Sequence, residues 1–151
     1  MEDQNIARKD WALAVIAVAA DSGSELSPVY LQKSLFLLGE MFRDRLGGDF
    51  YQFIPHHYGP FSKQIYDDVE DLKLEGLVEF VPVPGETWVM YRATKAGVGS
   101  FEDLQKTMAR PVLDYVRKMV PIILGLSFEQ LVSVIYEHFS GYSVNSVFRA
   151  P

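Results

Sequence analysis

HHYGPFSKQIYDDVEDLKLEGLVEFVPVPGETWVMYRATKAG, residues His56–Gly97, decides how this chain is read. The turn His57-Tyr58-Gly59-Pro60 leads into a helical run from Phe61 to Glu75. Within that run Phe61, Ile65, Val69 and Leu72 recur at helical spacing. Gly76 suits a left-handed helix end. Gly76-Leu77-Val78 then opens a hairpin that turns at Pro84-Gly85 and returns along Trp88 to Tyr91. Pro82 and Pro84 take two donors from one side of the outgoing strand, which confines it to a sheet edge. A helix followed by such a wing is the head of a winged helix, whose DNA-reading members lay a helix in the major groove.

The charge of this segment has the wrong sign for that task. Phe61–Glu86 holds Lys63 and Lys73 against Asp67, Asp68, Glu70, Asp71, Glu75, Glu79 and Glu86, a balance of −5 in a chain of formal charge −6. Affinity for a duplex rests largely on Lys and Arg displacing counterions, so nucleic acid is not the expected ligand. With the apolar stripe turned inward, the acids are expected in water, where Asp67, Asp68, Asp71 and Glu75 form an anionic face. Like charges at this spacing repel at a cost in stability. A basic protein partner would relieve that cost. Phe80, Trp88 and Tyr91 place aromatic anchors beside the charged rim, the composition a protein interface uses. The alternative, a DNA-binding transcriptional regulator, requires Lys33, Arg43, Arg45 and Arg92 to cluster on another surface. Outside Phe61–Glu86 the chain has 12 basic and 13 acidic residues, so a local basic patch is compatible with composition.

Outward from this segment the chain reads as helices. About Asn5 to Ala20 is a helix apolar on most sides, hence central to the core. Its ten-residue apolar run, Trp11–Ala20, is too short for a membrane span, which needs about 20 residues. Glu2, Asp3 and Asp10 against Arg8 and Lys9 argue against a signal peptide. Ser27 is a candidate N-cap and Pro28 fits the first helical position. The following helix carries Leu31, Leu35, Leu38 and Phe42 on one stripe and closes at Gly47-Gly48. Phe50 to Pro55 alternates weakly, as a short strand does. Beyond the wing, Thr94 and Ser100 are candidate caps, and Pro111 restarts a helix near Met108 that buries Leu113, Val116 and Val120. Ser127-Phe128-Glu129-Gln130 is a capping box, opening a last helix with Phe128, Leu131, Ile135 and Phe139 inward and Gly141 at its end.

The expected fold is therefore α+β and mostly helical, one domain of 151 residues. Its winged-helix-like core covers about 5–97, a C-terminal helical part about 98–141, and a short tail 142–151. A chain of this length can bury about 70% of its unfolded surface. Without cysteine, disulfides and thiolate metal sites are excluded, and a reducing, cytoplasmic home is the simplest reading.

Nothing in the sequence argues for catalysis, a cofactor or a metal. His56 and His57 lack further ligands at zinc spacing and read as turn histidines that hydrogen-bond locally. In Gly97-Val98-Gly99 the third glycine of a dinucleotide fingerprint would fall at Glu102, and no P-loop lysine follows. These glycines fit helix capping and a tight turn. No stretch fits the nucleophile elbow G-x-S-x-G.

At Leu31-Gln32-Lys33, Tyr58-Gly59-Pro60-Phe61-Ser62 and Gly76-Leu77-Val78 the chain resembles the YwgA-like family and, more distantly, Panacea domains. Tyr91, Thr94 and Gly97 match a tyrosine and threonine ahead of a glycine in those families. Leu126-Ser127-Phe128-Glu129-Gln130-Leu131, with Tyr136 and Ser146, is similar to their C-terminal portion. Panacea proteins often carry a tryptophan before the turn, where this chain has Pro55-His56-His57. The resemblance implies a helical, winged-helix-like module that acts as an antitoxin, neutralising a toxin by direct binding, or as a proteolytic adaptor. Physically, Gly59 takes a backbone angle closed to other residues, and Pro60 fixes the next. Tyr58 and Phe61 pack over the turn. Gln32 and Lys33 are polar positions in an apolar helix; either one of them reaches across to the carbonyls of Tyr58-Gly59, or they face solvent.

Overall fold

The computed structural model describes residues 6–143. They form the expected mostly helical α+β arrangement, but with seven helices and two antiparallel hairpins where five or six helices and one hairpin were expected. Helix α1 (Arg8–Asp21) is capped by Asp10, whose carboxylate accepts the Ala7 N–H at 2.9 Å. Trp11 to Ala19 are all buried, because α1 runs through the middle and packs against α2, α4, α5, α6 and β4. Helix α2 (Pro28–Met41) starts where Ser27 Oγ accepts the Tyr30 N–H, with proline in its first turn. Its stripe Leu31, Leu35 and Leu38 is fully enclosed. The helix stops at Met41 rather than at Gly47, and Phe42 is its C-cap; a one-turn α3 (Arg43–Leu46) fills the interval.

The principal departure lies at the turn. The expected strand over Phe50–Pro55 is instead the three-residue β1 (Ile54–His56), paired with β2 (Gly59–Phe61), so the turn belongs to a second hairpin. Helix α4 (Lys63–Leu74) begins only after it. Phe61 is consequently a strand residue stacked on His56, not the first member of the helical stripe. The hairpin expected as a wing forms: β3 (Val78–Pro82) pairs with β4 (Val89–Ala93), turning through Pro84-Gly85. Among the described residues both sheets stay two-stranded, with one isolated bridge from Leu26 to Tyr91.

Helix α5 (Lys95–Leu104) is capped by Thr94, whose Oγ1 accepts the Gly97 N–H at 3.0 Å. Ser100 is inside this helix and caps nothing. Helix α6 (Arg110–Leu124) restarts with Pro111 in its first turn. Both bonds of the Ser127–Gln130 capping box are present at the start of α7 (Phe128–His138), at 3.1 and 2.8 Å. This helix ends at His138, short of Gly141, and a 3-10 turn (Ser140–Ser143) follows. There Tyr142 joins Phe36, Phe53 and Phe139 in edge-on ring contacts. The start of the first helix at Asn5, the acids Glu2 and Asp3, Ser146 and the tail from residue 144 onward lie outside the described residues. No described helix is long and apolar enough to cross a membrane.

Candidate functional site

Between the two hairpins lies an open groove of about 1190 Å³. The first turns of α2 and the His56–Phe61 hairpin form one wall, and Phe80 with Thr87–Tyr91 of the wing forms the other. Tyr66 and Glu70 of α4 and Phe128 of α7 complete the lining. Its volume lies slightly above the roughly 300–1,000 Å³ common for small-ligand pockets. Its walls are rich in aromatic rings. Tyr58, Tyr66 and Trp88 are 43%, 41% and 42% exposed, and all three line it.

The motif residues hold this groove open. Gln32 and Lys33 are each only 3% exposed, so the solvent-facing alternative is excluded. Gln32 closes a reciprocal pair with the backbone of Ser62. Its Oε1 accepts the Ser62 N–H and its Nε2 donates to the Ser62 carbonyl, both at 2.9 Å. The side chain thereby acts as a strand partner for the chain leaving β2. Lys33 Nζ donates to the Pro60 carbonyl at 3.3 Å. Gly59 has φ +101°, and a Cβ there would lie 3.1 Å from the Tyr136 ring and 3.7 Å from Lys33 Nζ. A side chain at Gly59 would meet both strain and crowding. Tyr58 meets Phe128 edge-on at 5.3 Å, tying the hairpin to α7.

The acidic face requires correction. Asp68 is buried at 6% exposure, not solvated. It shares the inward stripe with Ile65, Val69 and Leu72, where Tyr51 Oη donates to it at 2.6 Å and Arg8 Nε at 2.9 Å. That hydrogen bond to Asp68 raises the Arg8 pKa, and burial first and Asp68 second raise that of the Tyr51 phenol. Glu75 is exposed but paired with Lys9 at 2.9 Å. Asp67 and Asp71 remain in water. None of the four lines the groove, whereas Trp88 does. On α4 the groove takes the neighbouring face, Tyr66 and Glu70. Of the other expected anchors, Tyr91 is buried and Phe80 half-buried, the latter with Lys73 Nζ 4.7 Å from its ring centre.

Three of the four cations that DNA binding would draw on are already engaged or enclosed. Lys33 is buried, Arg92 is shared between Glu25 and Glu79, and Arg43 pairs with Glu40. His56 and His57 have rings 4.5 Å apart, closer than alternate faces of a strand allow, because His57 is in the turn. Among the described residues no three His, Asp or Glu side chains gather as a metal site would need. The chain matches no family model, and no curated protein matches it in sequence.

Lys33 is the residue whose chemistry the sequence did not disclose. Among the described residues no carboxylate pairs with it, and burial alone lowers its pKa from 10.5 to about 8. Below pH 8 the folded chain carries a charged, poorly solvated ammonium. Between pH 8 and 10.5 the unfolded chain holds the proton and the folded chain has released it, so stability from this group rises with pH. At about 1.4 kcal/mol per pKa unit the penalty at neutral pH is on the order of 3 kcal/mol, partly offset by the bond to Pro60. Lys33→Met is expected to stabilise the protein by about 1–3 kcal/mol at pH 7, with the gain over wild type vanishing toward pH 10.5. Urea denaturation of both proteins across this range checks it; a destabilised variant at pH 7 would show that the bond to Pro60 outweighs desolvation.

Proposed function

We propose that this chain is a non-enzymatic regulatory protein-interaction module, antitoxin- or adaptor-like, that grips a segment of a protein partner in the groove between its hairpins. The observation that carries this reading is the convergence of Tyr58, Tyr66 and Trp88. These are all the exposed large aromatic side chains among the described residues, and they line one concavity. Exposed apolar surface concentrated in this way marks an interaction site, and Trp and Tyr dominate binding energy at such sites. Asp67 and Asp71 on the adjoining face of α4, with Glu75 beyond, supply an acidic flank that favours a basic partner and speeds its approach. The order of α4 followed by β3–β4 supports the winged-helix-like reading. The likeness to YwgA-like and Panacea sequences supports a toxin or a proteolytic substrate as partner, met in the cytoplasm. The pairing of Arg43 and Arg92 with acids, and the burial of Lys33, weigh against a duplex.

Panning a displayed random-peptide library on the purified protein tests the reading. The expected result is a convergent set of peptides with aromatic or aliphatic residues and basic flanks. Trp88→Ala should weaken their binding about tenfold or more. Asp67→Lys with Asp71→Lys should slow association and flatten its salt dependence. Peptides that bind Trp88→Ala as tightly as wild type would remove the groove from the interface. Submicromolar binding of mixed duplex DNA at physiological salt would revive the transcriptional regulator instead.

A further inference from the structure

We infer that Lys33 makes the groove a receptor for the free carboxyl terminus of its partner, an inference that rests on the protein-binding reading above. Lys33 is 97% covered yet contributes to the lining of the groove, and among the described residues its ammonium bonds the Pro60 carbonyl alone. A carbonyl at 3.3 Å leaves two of three donors unused and the charge unbalanced. Buried charges ordinarily carry a counter-charge, and here the described residues provide none. The missing group is an anion that enters from the groove.

The surroundings narrow which anion. Gly59 brings only backbone against Nζ, since a Cβ there would already stand in contact with it at 3.7 Å. A carboxylate offers an ammonium two acceptor oxygens in a flat, slender form. Glu70 also lines the groove and repels a peptide rich in acidic side chains. A chain terminus brings one carboxylate without any acidic residue, and it enters end-on while the preceding residues lie against Trp88 and Tyr66. A charge-assisted bond in a water-poor site is stronger than a neutral one, so the terminus would be the orienting contact. The same lysine that weakens the free fold becomes satisfied only in the complex.

The experiment uses three fluorescein-labelled pools of short apolar peptides: free carboxyl ends, the same sequences amidated, and amidated sequences with one internal glutamate. Anisotropy titrations are run on the full chain as wild type, Lys33→Met and Trp88→Ala. The free-acid pool is expected to bind wild type about tenfold or more tightly than the amidated pool. Lys33→Met should erase that ratio, and Trp88→Ala should weaken both pools while preserving it. Equal binding of free-acid and amidated pools would overturn the inference and leave the groove reading intact. Binding of the internal-glutamate pool as tight as the free-acid pool would overturn the terminal source. Binding of no pool would overturn this inference and the peptide-groove reading together. Circular dichroism of each variant secures the comparison, and Lys33→Met is the variant expected to fold more stably than wild type.

Discussion

Gly97→Ala is expected to lower stability by more than about 4 kcal/mol, an exceptional loss for one added methyl group. A Cβ at this position would stand 1.9 Å from the Leu77 carbonyl oxygen and 2.9 Å from its carbon. Both are backbone atoms, so no side-chain rotation relieves the clash. The same carbonyl accepts the Thr94 N–H at 3.0 Å, and Thr94 Oγ1 donates to Gly76 at 2.6 Å while capping α5. Moving α5 outward by the distance a methyl needs would break this set of bonds and lift Phe101 from the core. Gly99 lies two residues on in the same helix and has nothing within 4 Å of its Cβ position. Gly99→Ala should therefore be neutral or stabilising by up to about 1 kcal/mol, through helix propensity alone. Thermal melts of the pair decide the matter. The Gly97 variant should fall by roughly 10 °C or more, since 1 kcal/mol shifts a domain of this size by about 2–4 °C. A shift under a few degrees would mean that α5 is not seated on Leu77.

The sequence disclosed most where one element is specified by its own residues. The Leu31, Leu35 and Leu38 stripe, the Ser127–Gln130 capping box and the Pro84-Gly85 turn each carry their instruction within a few positions, and each forms where expected. The β1–β2 hairpin escaped because its strands have three residues each and two of the six are prolines, Pro55 and Pro60. It is held by Gln32 and Lys33 from another helix, not by strand propensity. The groove was legible at Phe80, Trp88 and Tyr91 of one wall but not as a groove, since its walls come from segments far apart in the chain. Gly97 was correctly singled out as special but for the wrong reason. Its constraint is the approach of Leu77 rather than the turn, and that fact exists only in three dimensions. Asp68 was readable in hindsight of geometry, standing three residues after Ile65 and four before Leu72, but its charge sign argued for solvent.

Asp68→Ala is the second large effect, with an expected loss of about 2–4 kcal/mol, since it breaks a part-buried ion pair and removes the acceptor of a buried hydroxyl. The change strands the Tyr51 hydroxyl in a buried site and leaves the Arg8 guanidinium, 5.2 Å from the Tyr51 ring centre, without its bidentate acceptor. Asp67→Ala, one residue away and in water, should change stability by within about 0.5 kcal/mol. Chemical denaturation midpoints of the two variants test the contrast. Asp68→Asn should fall between them, because its amide oxygen still accepts one bond while the charge is lost. Equal midpoints for Asp67→Ala and Asp68→Ala would show that the Arg8–Asp68–Tyr51 contact adds nothing to holding α1 on α4. The distinction reaches the function as well. Tyr66 and Glu70 project from the helix that Asp68 fastens, so loosening it should blur one wall of the groove. Peptide binding is thus expected to fall in Asp68→Ala through misplacement of Tyr66, and in Asp67→Lys only through slower encounter.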